Sequence, residues 1–201
     1  MDTARIPDIA NPYELFNQWF AEAEACEAVL DHTAMTVATV DENNQPWTRV
    51  ILCKDINEQG FTFFTNSNSL KGKHLAHSPK ISLCYYWAPI IKQVRVMGTA
   101  TLIAPEDSDA YFASRPRESQ IGAWASLQSE HLDTVETLIE RNTHFEEKFD
   151  GQDVPRPDHW NGYLVSPTHI EFWLARPYRL HDRVMYTPTA DGQWTNERLY
   201  P

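Results

Sequence analysis

A short basic segment near the C-terminal end carries side chains that suit the binding of an anion. It is Arg179-Leu180-His181-Asp182-Arg183. Alternate side chains of an extended segment share one face, so this spacing predicts that Arg179, His181 and Arg183 project together. Three potential cations on one face of an acidic protein favour an anionic ligand. An exposed strand paired with acidic neighbours is the alternative.

A second basic segment, SRPRESQ, spans residues 114–120. Its proline disfavours helix at the preceding residue, so we expect a loop that presents Arg115 and Arg117. Guanidinium groups beside a hydroxyl such as that of Ser119 are typical of a phosphate monoester site. Tyr111 lies one helical turn before Arg115. A charged patch at a helix end is the alternative interpretation.

A third group of polar side chains follows residues 49–54 on a predicted strand and continues to Lys71. Strand parity puts Arg49, Ile51 and Cys53 on one face and Val50, Leu52 and Lys54 on the other. A single site therefore uses both Arg49 and Lys54 only at a strand end, at a bulge or through two layers of contact. Lys71 and Lys73 alone also suit a solvated helix face.

Two amide side chains, Gln93 and Gln128, lie in or beside apolar runs. A buried amide needs hydrogen-bond partners, and a ring with alternating donors and acceptors or a neighbouring strand supplies them. His74 and His77 lie three residues apart on a predicted helix without a carboxylate in a fixed pattern, so no metal site is expected.

The glycine pattern excludes the common phosphate-binding loops. The seven glycines form no G-x-G-x-x-G, P-loop or G-x-S-x-G motif. Any phosphate must therefore be bound by side chains.

Overall charge limits the classes of partner. Lys and Arg number 17 against 28 Asp and Glu, a formal net charge of −11. This argues against nucleic acid and anionic membranes, which bind basic surfaces. The sequence shows neither a leader-like start nor an apolar stretch long enough to span a membrane, which favours a cytoplasmic protein. Three cysteines without C-x-x-C argue against a disulfide framework.

The elements expected to position these groups are helical first, then β-rich, then helical, then β-rich again. Asn11-Pro12 begins a helix whose apolar positions recur to Leu30. Short β-rich runs follow between residues 34 and 103, helices are predicted at 69–77, 105–114 and within 131–149, and strands near 162–166, 169–175, 183–187 and 193–199. This order predicts an α+β fold with one interrupted antiparallel barrel. We expect a short arm at 1–11 and a single domain at 12–201.

Taken together, the motifs FFTNSNSLKGK, QVRVMG, SRPRESQIGAW, LQSE, EFW and RLHDR, in this order, resemble those of the pyridoxamine 5′-phosphate oxidase family. The resemblance runs from about Pro12 to the C-terminus. It implies a six-stranded, Greek-key-like split barrel flanked by helices, and a homodimer with flavin mononucleotide (FMN) at the subunit interface.

The resemblance also assigns residues to ligands. It places FMN contacts at Arg49, Val50, Ile51, Leu52, Cys53, Lys54, Phe64, Thr65, Lys71, Gln93, Gln128, Ser129, Trp173 and Arg183. It places substrate contacts at Lys54, Tyr111, Arg115, Ser119, Arg179 and His181. Of these, Arg179 and His181 are the expected catalytic residues.

The function that the resemblance implies is oxidation of pyridoxine or pyridoxamine 5′-phosphate by O2, giving pyridoxal 5′-phosphate and H2O2. Two alternatives are an FMN oxidase of the phenazine-biosynthesis type and a flavin- or pyridoxal-phosphate-binding split barrel without turnover. The family pattern has Arg at the position of Leu70, so a weaker grip on the FMN phosphate is expected here.

Overall fold

The computed structural model describes residues 5–201. Its helices are α1 (Pro12–Glu24), α2 (Leu70–His77), α3 (Pro105–Ala113), α4 (Arg117–Ala125) and α5 (Val135–Lys148). Its strands are β1 (Ala34–Val40), β2 (Pro46–Leu52), β3 (Asp55–Asn57), β4 (Gly60–Asn66), β5 (Lys80–Trp87), β6 (Lys92–Leu102), β7 (Trp160–Leu174), β8 (Asp182–Pro188) and β9 (Trp194–Arg198). Short 3-10 turns lie at Ala88–Ile90 and Pro177–Arg179.

The described strands form one curled antiparallel sheet in the order β2-β1-β5-β6-β7-β4-β3, with β8 and β9 continuing from β7. The resemblance implied six barrel strands, and the described sheet has nine. Strands β8 and β9 match those expected near 183–187 and 193–199, whereas the short β3 was not predicted. Residues 53–54 join the ends of the curled sheet, because the Cys53 N–H donates to Thr33 O at 2.9 Å and the Lys54 N–H donates to Thr62 O at 2.8 Å.

The two strands expected near 162–166 and 169–175 are one long strand, β7. It pairs with β6 from Tyr163 to Leu174, and the register shifts between Met97 and Gly98. A Cβ on Gly98 would lie 2.4 Å from Ser166 O, so the irregularity needs glycine. The first half of β7 pairs with β4 and the second half with β8. Because β7 changes its partner strand partway along its length, its sequence pattern predicted two separate strands.

Helix α1 covers the core of the barrel. Asn11 caps it by accepting from the Tyr13 N–H at 2.9 Å, and Leu15, Phe16 and Trp19 are buried. The predicted extension to Leu30 is wrong, because the helix ends at Glu24 and Leu30 is fully exposed. The chain leaves the helix through consecutive tight turns, in which the Val29 N–H donates to Cys26 O.

Helices α3, α4 and α5 form a second layer beside β7. Its small core consists of Phe112, Ile121, Phe149, Val154 and Trp160. This layer also corrects the loop that was predicted over 114–120, because α4 begins at Arg117 directly after the proline. Proline is compatible with the start of a helix, which is where this chain uses it.

The described part of the expected arm, residues 5–11, packs on the C-terminal strands. Ile6 is buried, its N–H donates to Asp182 Oδ2 at 2.8 Å, and Arg198 Nη2 donates to its carbonyl at 3.0 Å. The first four residues of that predicted arm lie outside the described range. Among residues 5–201, no helix has the length and apolar content needed to cross a membrane.

Candidate active site

A cavity of about 450 Å³ lies between the barrel and the second helical layer. It is lined by the end of β2, the end of β4, the start of α2, the facing sides of α3 and α4, and the start of β7. Its lining residues are Ile51, Leu52, Lys54, Phe64, Thr65, Asn66, Lys71, Tyr111, Arg115, Ser119, Gly122, Ala123, Ser126, Gln128 and Trp160. Ten of the predicted site residues therefore lie around one space.

Lys71 forms the cationic end of this cavity. It is buried in the first turn of α2, and its Nζ donates to Thr65 Oγ1 at 3.1 Å, Ser69 Oγ at 3.2 Å and Gln128 Oε1 at 3.0 Å. Burial, and then the charge of Arg49, lower the pKa of Lys71 from 10.5 to about 8. These acceptors are all neutral oxygens, and no carboxylate among residues 5–201 pairs with this ammonium. Such a group favours an added anion.

Arg49 supports the same end of the cavity from outside its lining. Its Nη1 donates to Thr39 Oγ1 at 2.7 Å and to the carbonyls of Val37 and Trp47. Thr39 Oγ1 also lies 3.0 Å from His74 Nδ1. Burial lowers the pKa of Arg49. Arg49 therefore contributes positive potential near Lys71 while its guanidinium is held by strand β1.

Arg115 forms the second cationic end, in the turn between α3 and α4. Its Nη1 is buried and makes no hydrogen bond within residues 5–201. Its guanidinium carbon lies 4.6 Å from the centre of the Trp160 ring, and burial lowers the pKa of the group. A buried donor without a partner is costly, so this geometry suits a ligand oxygen. Tyr111 stacks on Phe64 at 4.0 Å beside it.

Burial along residues 49–54 alternates as the parity predicted, but residues of both faces reach the cavity. Ile51, Leu52 and Lys54 line it, and Val50 is exposed. The Cys53 thiol is buried against Thr62 O, and burial raises its pKa. Backbone groups of this segment, rather than the side chains of Val50 and Cys53, are therefore its available contacts.

A second group of predicted residues lies on β6, β7 and β8. Gln93 pairs with Trp173, and Trp173 pairs with Arg183, so the three form a row across the sheet. The His181 ring lies 4.6 Å from the Trp173 ring. Arg183 Nε donates to Glu171 Oε1 at 2.9 Å, and Arg95 pairs with the other oxygen of this buried carboxylate. These residues are absent from the described lining of the cavity. One chain thus carries two separate groups of predicted ligand contacts.

Comparison with known proteins identifies the family. Residues 21–144 match the model described as pyridoxamine 5′-phosphate oxidase, and residues 160–201 match the pyridoxine 5′-phosphate oxidase C-terminal dimerisation region. The chain belongs to the pyridoxamine 5′-phosphate oxidase family. The prediction that it is an oxidase of this family is confirmed, and the second group of residues, apart from Gln93, lies in the family's dimerisation region.

Similar proteins cover nearly the whole chain. The pyridoxine/pyridoxamine 5′-phosphate oxidase of Trichormus variabilis is 44% identical over 95% of this chain and 89% of its own length. That of Brucella anthropi is 44% identical over 96% of this chain and 95% of its own. The solved structure of PhzG from Burkholderia lata, in complex with tetrahydrophenazine-1-carboxylic acid, has a TM-score of 0.89 at 28% identity, covering 96% of this chain and 94% of that one. The predicted α+β split-barrel fold is confirmed.

Two geometric expectations about the basic segments of this family member are wrong. Arg179 is not in an extended strand, because Tyr178 and Arg179 have φ values of 60° and 62° in a 3-10 turn and β8 begins at Asp182. Arg117 does not face the cavity, because its guanidinium donates to Phe149 O at 2.6 Å and Gln152 O at 2.8 Å. Positive φ values break the alternation of side chains that a strand requires, and the start of α4 at Arg117 directs this side chain to the end of α5.

Sequence reasoning missed the cavity residues Asn66, Gly122, Ala123, Ser126 and Trp160. The small residues leave no chemical signal in a sequence. Trp160 did carry a signal in the sequence, because a large aromatic residue between a proline-rich connector and a strand is expected to pack against neighbouring side chains. Ser129, which was predicted, is exposed with a φ of 75° and is not part of the lining.

Proposed function

We propose that this protein is an FMN-dependent oxidase that converts pyridoxine or pyridoxamine 5′-phosphate to pyridoxal 5′-phosphate. O2 is the electron acceptor and H2O2 a product, with ammonia released from the amine substrate. The observation that carries this proposal is the pair of cations in one cavity, Lys71 and Arg115, neither with a carboxylate partner among residues 5–201. FMN and the substrate each bring one phosphate monoester. The names of the relatives support the same reaction.

The Lys71 end of the cavity fits the FMN phosphate. Thr65 and Ser69 hydroxyls and the Gln128 amide surround the ammonium, so a phosphate there meets one cation and several neutral donors. The chemistry that FMN would supply when bound is acceptance of a hydride from the substrate carbon and transfer of two electrons to O2. The chain's own part is to bind and orient the flavin.

The Arg115 end fits the substrate phosphate. The buried Nη1 supplies a free donor, and Ser119, Tyr111 and Lys54 line the same space. These groups combine a guanidinium fork, an ammonium and two hydroxyls, which suits a phosphate dianion. Holding the phosphate here fixes the pyridine ring of the substrate toward the flavin.

We further propose that the active site is completed by a second copy of the chain. The group of Gln93, Trp173, Arg179, His181 and Arg183 lies outside the cavity of its own chain, and four of these five residues fall in the matched dimerisation region. In a two-fold dimer each chain gives the same group to its partner, so two sites form, each with FMN at the interface. Dimerisation thereby supplies the residues that the cavity lacks.

His181 has a defined tautomer within its own chain. Its Nδ1 accepts a hydrogen bond from the Arg176 N–H at 3.1 Å, so in the neutral ring the proton is on Nε2. We propose that this Nε2–H, together with the Arg179 guanidinium, orients the substrate at its reacting edge. The ring packing of Trp173 on His181 holds the imidazole in this orientation.

The proposed function is tested by mixing FMN-loaded protein with pyridoxine 5′-phosphate under air. We expect aldehyde and H2O2 to form in equal amounts, and no aldehyde to form from unphosphorylated pyridoxine at the same concentration. Absence of aldehyde at saturating FMN would contradict the proposal and would leave a binding protein without turnover.

Three free cysteines support a cytoplasmic location for this reaction.

A second candidate is an FMN oxidase of the phenazine type, favoured by the structural similarity to PhzG. That reaction uses a carboxylic acid of a fused ring system, so it needs the FMN phosphate site but no second phosphate site for the substrate. The unpartnered Arg115 donor favours the phosphate ester. Turnover of a dihydrophenazine carboxylic acid with indifference to pyridoxine 5′-phosphate would reverse this preference.

A further inference from the structure

Trp160 lies between the aromatic core of the helical layer and the Arg115 guanidinium. It is the first residue of β7, it is buried, and it lines the cavity. The guanidinium carbon of Arg115 lies 4.6 Å from the centre of its ring and 5.4 Å from that of Phe112. Both distances are within the range of a cation–π contact, and tryptophan is the ring with the strongest such interaction.

The position of the Trp160 ring is set by its neighbours. The Phe64 ring stacks on the Trp160 ring at 5.1 Å with planes 10° apart. The Tyr111 ring in turn stacks on the Phe64 ring at 4.0 Å. The backbone is held as well, because the Trp160 N–H donates to Pro157 O at 2.9 Å and Arg156 Nη1 donates to Trp160 O at 2.8 Å. A ring held on this many sides offers Arg115 a fixed surface.

The other arginines of this layer are bound differently. Arg117 and Arg141 donate to helix-end carbonyls, and Arg156 pairs with Asp109. For Arg115 no ion pair or side-chain hydrogen bond is found within residues 5–201, and Nη1 is buried without an acceptor. An aromatic face stabilises a guanidinium without neutralising its charge. It also leaves free the N–H donors, which lie in the plane of the guanidinium. A carboxylate in the same place would compete with an incoming phosphate.

We propose that Trp160 is a positioning residue for substrate binding. It holds the Arg115 guanidinium by a cation–π contact, so that the in-plane N–H donors stay free for the phosphate of the ligand. This inference rests on the proposed function, since it takes the Arg115 end of the cavity as the phosphate end. It adds a residue that acts through Arg115 and touches neither phosphate itself.

The test compares Trp160→Leu, which removes the π face, with Trp160→Phe, which keeps a smaller one, in FMN-loaded protein. For Trp160→Leu we expect pyridoxal 5′-phosphate to bind roughly 5- to 30-fold more weakly, the fold-change of about 1–2 kcal/mol. The KM for pyridoxine 5′-phosphate should rise with a smaller change in kcat, and Trp160→Phe should recover part of the loss. The affinities for FMN and for unphosphorylated pyridoxal should stay the same. Equal loss of pyridoxal and of its phosphate would overturn the proposal in favour of a packing role.

A second measurement applies whether or not Trp160→Leu folds. Fluorinated tryptophans placed at position 160 preserve the ring's shape while weakening its negative face, so pyridoxal 5′-phosphate affinity should fall with each added fluorine. The same series at Trp124, whose ring faces Lys148 at 5.4 Å and is not part of the cavity lining, should show no trend. No trend at position 160 would overturn the proposal.

Arg115→Ala, measured alongside, separates this inference from the proposed function. If Arg115→Ala weakens pyridoxal 5′-phosphate binding and the fluorinated series at 160 is flat, only the role of Trp160 falls. If Arg115→Ala binds pyridoxal 5′-phosphate as tightly as the unaltered protein, the phosphate end is wrongly placed and both proposals fall. A fluorine trend together with a weakened Arg115→Ala variant supports both.

Discussion

Lys71 Nζ donates a hydrogen bond to Gln128 Oε1 at 3.0 Å, which joins the first turn of α2 to the segment that follows α4. The barrel and the helical layer therefore meet at a buried ammonium that donates to neutral oxygens. A site of this kind costs folding free energy when empty and gains it when an anion binds.

FMN affinity should depend on pH through Lys71. Burial lowers the pKa of Lys71 to about 8, and a bound phosphate raises it, because an opposite charge favours the ammonium. Above pH 8 binding must then take up a proton, so the FMN dissociation constant should rise by up to about tenfold per pH unit. Fluorescence quenching of FMN from pH 7 to 10 measures this. Lys71→Met should bind at least about tenfold more weakly at pH 7, with a flat profile above pH 8. Identical pH profiles for the two proteins would refute the assignment.

Leu70→Arg should tighten FMN binding. Leu70 is the first residue of α2 and is partly exposed, so an arginine fits there without entering the core. A second cation beside Lys71 is expected to lower the dissociation constant by about 10- to 100-fold, the scale of one charge-assisted hydrogen bond. Leu70→Gln is the uncharged control. If both variants bind FMN equally well, the charge at position 70 is irrelevant to the cofactor.

Arg115→Ala should raise the KM for pyridoxine 5′-phosphate by about 10- to 100-fold, because a hydrogen bond to a charged group is worth about 1.5–3 kcal/mol. Its effect on the FMN dissociation constant should be small. Initial rates at saturating FMN measure the KM for pyridoxine 5′-phosphate. Arg115→Lys keeps the charge without the planar fork and should recover part of the loss. An unchanged KM would show that the substrate phosphate lies elsewhere.

Arg117→Ala should lower stability without changing substrate affinity. The Arg117 guanidinium donates to Phe149 O and Gln152 O at the end of α5. Its removal is expected to cost about 1 kcal/mol, which corresponds to a fall of about 2–4 °C in Tm for a chain of this size. Thermal unfolding and KM measured on one preparation distinguish it from Arg115→Ala. A KM increase like that of Arg115→Ala would favour the loop predicted from the sequence.

The sequence was informative where one residue determines a local conformation. Asn11 predicted the start of α1, Ser69 caps the predicted helix α2, and alternation along residues 49–54 matches their burial. Helix ends and turns were harder. Apolar spacing continued to Leu30 although the chain turns away after α1, and RLHDR has the alternation of a strand although Tyr178 and Arg179 take left-handed φ values. Tertiary contacts decide such positions.

The candidate site was predictable as a set of residues but not as a shape. The positively charged members were found from their types and spacing, and the resemblance assigned them to ligands. The division of these residues into a cavity group and a Trp173 group depends on strand pairings far apart in sequence. Trp160 was missed because its role depends on where Arg115 lies, and no periodicity in the sequence records that contact.

The most direct test of this account is complementation between two inactive variants, because it requires both oxidase activity and a site shared by two chains. Lys71→Met alters the cavity group, and Arg179→Ala alters the group proposed to reach the partner's cavity. Co-expressed chains should form heterodimers in which one of the two sites contains neither change. The control, Lys71→Met with Arg115→Ala, places both changes in the cavity group and should give no active site.

The measurement is formation of pyridoxal 5′-phosphate from pyridoxine 5′-phosphate under air, at an FMN concentration where each variant alone is inactive. With random pairing, about half of the dimers are heterodimers and each has one intact site, so we predict about a quarter of the unaltered activity. Activity no higher than that of the separate variants, with heterodimers present, would contradict an oxidase site built from two copies of this chain.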